Sequence, residues 1–186
     1  MELVGRYVMG RTIAKNVKKP PGFTGDKPDG RKPDPGTVIT LRECKLFKDL
    51  SDEHLRTLAK VFQVEEYNAG EYIFRQGELG LRIYLIDQGQ VSLERTINLG
   101  DRAAKATLSL LGKHRLLGCW ACILGEERYL GESALCQKRT RVVSAKGIDL
   151  EAIIKGNPQI AYVFLKRLCF MLDEKLHDCY CAMGAL

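Results

Sequence analysis

The sequence predicts a mainly β domain with flanking helices, an antiparallel β-roll of the jelly-roll or double-stranded β-helix kind. Three observations predict it. Short segments with strand character recur from Phe62 onward. Gly70, Gly77, Gly80 and Gly89 separate them at hairpin intervals. Apolar residues at steps of three and four precede and follow this run, as amphipathic helices require.

The elements follow in chain order. Residues 1–37 read as a basic N-terminal arm. Five of the six prolines fall between Pro20 and Pro35, among Gly22, Gly25, Gly30 and Gly36, and such a stretch buries too little apolar surface to order a core. Residues 38–186 read as the folded domain. Ser51 is a helix N-cap, with Asp52 and Glu53 suited to the positive end of the dipole, and Leu55, Leu58, Ala59 and Phe62 follow at helical spacing. Strands are expected over 62–67, 72–75, 82–87 and 91–96, then over 104–111, 114–117, 133–138 and 141–145. A short helix is expected over 149–154. Asn157 then caps a longer helix, with Pro158 in its first turn, that runs to about Asp178. Its apolar stripe, which includes Phe164, Leu168, Met171 and Leu172, is wider than one packing face needs. A homodimer through this helix is the expectation.

Composition narrows the function. The chain has 186 residues, 45% hydrophobic and 28% charged, which suits one ordinary globular domain. Of the net charge of +6, the segment up to Gly36 carries eight basic against four acidic residues, so the body is nearly neutral and charge gives no argument for nucleic acid. No run approaches the roughly 18 apolar residues of a membrane span. The start lacks the basic and apolar pattern of a signal peptide, so a cytoplasmic location and mostly reduced cysteines are expected. His54, His114 and His177 are scattered, and neither a phosphate loop nor a G-x-S-x-G is present; the chain is read as a non-enzyme without a metal or other cofactor. No helix-turn-helix fits after Leu176, so no DNA-binding domain is expected.

Local motifs point to a family. Gly70-Glu71-Tyr72-Ile73-Phe74, Gln76-Gly77-Glu78, Tyr84-Leu85-Ile86 and Gly89-Gln90-Val91 occur in order after the leading helix. This series resembles the cyclic-nucleotide-binding domain of catabolite activator protein, protein kinase A regulatory subunits and nucleotide-gated channels. The resemblance implies a β-roll acting as a regulatory module. It also implies a phosphate-binding cassette in which a G-E-[LI]-[AG] step and a following R-[AST]-A step hold ribose and cyclic phosphate.

The cassette here is changed. It reads Gly118-Cys119-Trp120-Ala121, with Cys119 where the resemblance implies the ribose-binding glutamate. The second step reads Glu132-Ser133-Ala134, with a carboxylate at the arginine's position; a gapless alternative puts Leu130 there. Either way the arginine is missing. A charge-assisted hydrogen bond contributes roughly 1.5–3 kcal/mol, so cyclic AMP should not bind in the usual way. Arg128, Arg139 and Arg141 are the candidates to compensate, with Arg128 nearest. Trp120, the only tryptophan, either stacks on a ligand or fills the space a nucleotide would take, and we favour filling.

The reading is therefore a stand-alone regulatory or ligand-sensing module with an unidentified small ligand or partner protein. One alternative is a pocket-dead interaction unit that dimerises. Another is a cysteine-based redox sensor built on the C-x-x-C of Cys119 and Cys122.

Overall fold

The computed structural model describes residues 34–100, 102–126 and 128–184. The arm expected over 1–37 lies outside them except for its last residues, and those belong to the fold. Asp34 caps helix α1 (Pro35–Glu43), its carboxylate accepting the Thr37 N–H at 3.1 Å, and Thr37 is buried. Residues 34–37, the described part of the expected arm, thus form the cap and first turn of α1. Pro35 reads as a linker proline, but it occupies the first helical position, where a missing N–H costs nothing. The expected leading helix is α2 (Asp52–Ala59), with Ser51 Oγ accepting the His54 N–H at 3.3 Å.

Eight strands follow: β1 (Gln63–Tyr67), β2 (Tyr72–Phe74), β3 (Arg82–Gln88), β4 (Val91–Asn98), β5 (Ala103–Leu111), β6 (Leu116–Gly118), β7 (Ser133–Cys136) and β8 (Thr140–Lys146). They pair antiparallel in two four-stranded sheets, ordered β1-β8-β3-β6 and β2-β7-β4-β5. This is the predicted antiparallel roll. The strand expected from His114 begins at Leu116, because His114 takes a left-handed φ of 65° and its N–H donates to Ile86 O at 2.7 Å, turning the chain. Gly89 allows the β3–β4 turn to sit against β8. Its φ is 111°, and a Cβ there would stand 2.6 Å from the Thr140 Cα.

Strand alternation divides the core in two. From β3, Ile83 and Leu85 point to the helices, and with Val143 and Ala145 of β8 they pack on Leu41, Phe47, Leu55 and Leu58. Ile86 and Val142 point the other way, between the sheets, with Ile73, Phe74, Val91 and Ala134. Helix α3 (Gly147–Gly156) and helix α4 (Pro158–Gly184) close the helix side. The Asn157 Oδ1 accepts the N–H groups of Gln159 and Ile160 at 3.0 and 3.2 Å, as a cap should.

Helix α4 is longer than predicted and is turned differently. Ile160 and Phe164 are buried, and Leu168 and Met171 are half-buried against the same helix-side core. Of the four residues expected to be uncovered, only Leu172 is exposed. An ion pair of Arg167 with Asp49, and another of Lys45 with Glu174 at 2.8 Å, pin this face of α4 to the segment between α1 and α2. The uncovered face carries Leu165, Cys169, Leu172, Leu176, Cys179 and Met183, all exposed, at alternating steps of four and three.

Candidate functional site

The changed cassette starts where β6 ends. Gly118 has a φ of 99°, and the Cys119 N–H donates to Arg82 O at 3.3 Å, which holds the chain against the start of β3. A 3₁₀ helix (Trp120–Leu124) follows, with Cys119 at its N-cap making no side-chain capping bond. The Cys119 side chain is buried and lies directly on Gly80; a Cβ on that glycine would overlap it. The contact leaves no room for a longer side chain directed the same way.

Trp120 lies on the helix side of the cassette. It faces α4, with the Lys175 ammonium 5.0 Å from its ring centroid. The reason is the turn at Gly118, which sends the residue after Cys119 to the helix side. Ala121 packs there too, on the helix-side core.

The second half of the cassette is stitched to the Gln76-Gly77-Glu78 turn. Gly77 N–H donates to Leu130 O, Leu130 N–H to Glu78 O, and Gly80 N–H to Arg128 O, each at 2.8 Å. Leu79 and Tyr129 pair between them. This ladder aims Leu130 inward, where its side chain touches both core clusters. Arg128 contributes its carbonyl to the ladder while its side chain stays exposed. Glu132 is half-buried, Ser133 Oγ accepts the Gln76 N–H at 2.9 Å, and Ala134 is fully buried opposite Phe74. Cys119 and Arg128 therefore meet at Gly80 and Gly118 lies against Arg82 and Tyr84, whereas Trp120 and Ala121 face the helices and Ser133 and Ala134 serve the sheet.

The other two arginines weighed for compensation are engaged elsewhere. Arg139 pairs with Glu66 at 2.6 Å, and Arg141 with Asp87 at 3.3 Å. The sequence reading missed Arg82. It shares a face of β3 with Tyr84 and Ile86, so strand alternation alone could have found it. Its guanidinium lies 3.2 Å from Glu65 and 2.5 Å from Ser144 Oγ. Ser144 also bonds to Glu65, and Tyr67 donates its hydroxyl to the same carboxylate at 2.6 Å. Burial, then Glu65, pushes the Tyr67 phenol far above its ordinary range; burial likewise raises Tyr84 to about 12. Both phenols thus stay protonated at physiological pH, Tyr67 donating to Glu65, and the Arg82 charge is met by Glu65.

The Cys122 thiol beside the cassette is quiet. Cys122 Sγ donates to Cys119 O at 2.8 Å, and burial, with Cys119 adding to it, pushes the Cys122 thiol up to about 12. At neutral pH it stays protonated and a poor nucleophile. Among the described residues no three metal-ligating side chains converge. A cleft of about 410 Å³ opens beside the 3₁₀ helix, lined by Leu81, Arg82, Cys122, Lys146, Ile148 and Glu151 among others.

Residues 64–157 match the family model described as Cyclic nucleotide-binding domain. The chain is 34% identical over 138 residues to the Cyclic AMP receptor protein of Thermus thermophilus, covering 74% of this chain and 60% of that protein. It is 30% identical over 148 residues to the cGMP-dependent protein kinase of Toxoplasma gondii, covering 73% of this chain and 12% of the kinase. The structure superposes on the Catabolite Activator Protein of Thermus thermophilus with a TM-score of 0.62 and 31% identity, over 75% of this chain and 62% of that one. The chain thus spans less than two thirds of each of these relatives.

Proposed function

This chain belongs to the cyclic nucleotide-binding domain family, and we propose that it is a non-enzymatic regulatory module that has given up cyclic nucleotide and acts through protein contact. The observation that carries the reading is Leu130. Both its backbone groups are committed to the Gly77–Glu78 turn, and its side chain bridges the two cores next to Cys119. An apolar side chain there offers a cyclic phosphate no hydrogen bond, and Glu132 nearby adds repulsion. The half-buried Arg82 guanidinium, on the strand that the cassette leans on, is held by Glu65 and Ser144. Calorimetry with cyclic AMP and cyclic GMP tests this. Each 1.4 kcal/mol lost costs tenfold, so no binding tighter than about 10 μM is expected. Submicromolar binding overturns the reading; if Arg128→Ala then abolishes it, Arg128 has replaced the missing arginine.

The contact surface we propose is the outer face of α4, with a second copy of the chain as partner. Leu165, Cys169, Leu172, Leu176, Cys179 and Met183 follow the alternating spacing of a coiled-coil seam, and all are exposed in the single chain. Sedimentation in reductant decides it: a dimer that Leu172→Glu splits is expected, and a monomer at every concentration overturns the assembly.

A further inference from the structure

The seam on α4 contains two cysteines that no part of the cassette uses. We infer that Cys179 of two copies forms an inter-chain disulfide under peroxide, locking the dimer; this rests on the α4 dimer proposed above.

The spacing sets the geometry. Leu165, Leu172 and Cys179 fall at one seam position and Cys169, Leu176 and Met183 at the other, so in a parallel pair each residue meets its own copy. Helix axes about 8–10 Å apart, with Cα atoms about 2.3 Å off axis, bring facing Cα atoms to within roughly 3.4–5.4 Å, the wider spacings falling in the disulfide range. A disulfide needs about 4.4–6.8 Å. Charge selects the parallel arrangement. Flanking the seam, Lys166, Asp173 and Tyr180 lie on one side, and Leu168 and Lys175 on the other. Parallel pairing sets Lys175 beside Tyr180 and Leu168 beside Asp173. Antiparallel pairing in the register that joins Cys169 to Cys179 sets Asp173 against Asp173, which repel.

The two cysteines differ in access. Cys169 sits mid-seam between Leu165 and Leu172, where the dimer shields it. Cys179 lies beyond the contacts that pin α4 to the roll, the last of which are Glu174 with Lys45 and Lys175 with Trp120. There the seam can open to a small oxidant. The Cys179 thiolate attacks hydrogen peroxide, breaking the O–O bond to give a sulfenic acid and hydroxide. The thiolate of the second copy then attacks that sulfur and displaces hydroxide, forming the S–S bond. Two thiols are oxidised, one peroxide is reduced, and two waters result once the protons released by the thiols are taken up.

The test exposes the purified protein to hydrogen peroxide and reads non-reducing gels, with sedimentation in reductant run alongside. Wild type, Cys169→Ser and Cys181→Ser should give a reducible dimer band, and Cys179→Ser none. A band that survives Cys179→Ser overturns the assignment. Loss in Cys169→Ser as well means Cys169 joins Cys179 in an antiparallel pair, and overturns it too. No band from a wild type that sediments as a dimer refutes the disulfide and spares the dimer. A wild type that is monomeric in reductant removes the dimer and this inference together.

Discussion

At the scale of single residues, function turns on what replaces a lost contact. Cys119 is small, buried and pressed on Gly80, so the glutamate of the resembled motif cannot simply be restored. Cys119→Glu should cost about 1–3 kcal/mol in denaturant titrations, since it overpacks the Gly80 contact and buries a carboxylate. It should not restore cyclic AMP binding. Leu130→Ala removes a side chain shared by both cores and should cost about 2 kcal/mol, likewise without gain of binding. If Leu130→Ala binds cyclic AMP below 10 μM, the leucine alone was blocking the site. Cys119 and Glu132 were legible as departures from the motif. The two alignments differ by a two-residue shift and put Glu132 or Leu130 at the arginine's position; of these two side chains, Leu130 enters the core and Glu132 is half-buried.

At the scale of elements, α4 has two faces with different duties. Met171 lies half-buried on the helix-side core, so Met171→Glu should lower the melting temperature. Leu172→Glu, one step round the helix, should leave stability within about 0.5 kcal/mol of wild type when both are compared as monomers. Melting curves at dilutions where wild type is monomeric separate the two, and equal destabilisation would mean the face assignment is wrong. Docking of α4 should also depend on pH. Arg167 holds the Asp49 carboxyl below its ordinary value, and Lys45 does the same for Glu174. A carboxylate with a lowered folded pKa contributes fully above its unfolded value and loses that contribution as pH falls through the folded one. Both groups are exposed, so the effect is small and screened by salt. Protection factors in α4, taken against the intrinsic exchange rate at each pH, should therefore fall below about pH 4 while the roll strands keep theirs; a uniform fall would deny a separate docking step.

At the scale of the whole molecule, the roll is a frame in which one sheet serves two cores. Strands β3 and β8 send alternate residues to the helices and to the second sheet, so the cassette on β6 is coupled to both. The frame extends to Asp34, which caps α1 and also faces Arg141 at 3.6 Å. A chain begun at Asp34 should keep that cap, and one begun at Val38 should be less stable by about 0.5–2 kcal/mol or more. Equal denaturation midpoints for the two would keep the boundary at 38.

The sequence by itself determined the antiparallel roll and the order of its strands and closing helices. Glycine turns, strand alternation and helix caps are local, and each is encoded within a few neighbouring residues. Only the tertiary structure decided which way Trp120 points, that Leu130 enters the core, that Arg82 is already paired, and which face of α4 is left bare. Those outcomes depend on contacts between residues far apart in the chain: Trp120 with Lys175, Leu130 with Glu78, Arg82 with Glu65, and Phe164 with Phe47. A stripe of apolar side chains specifies that a helix will be covered, but the shape of the surface it meets decides which residues are used and which remain for a partner.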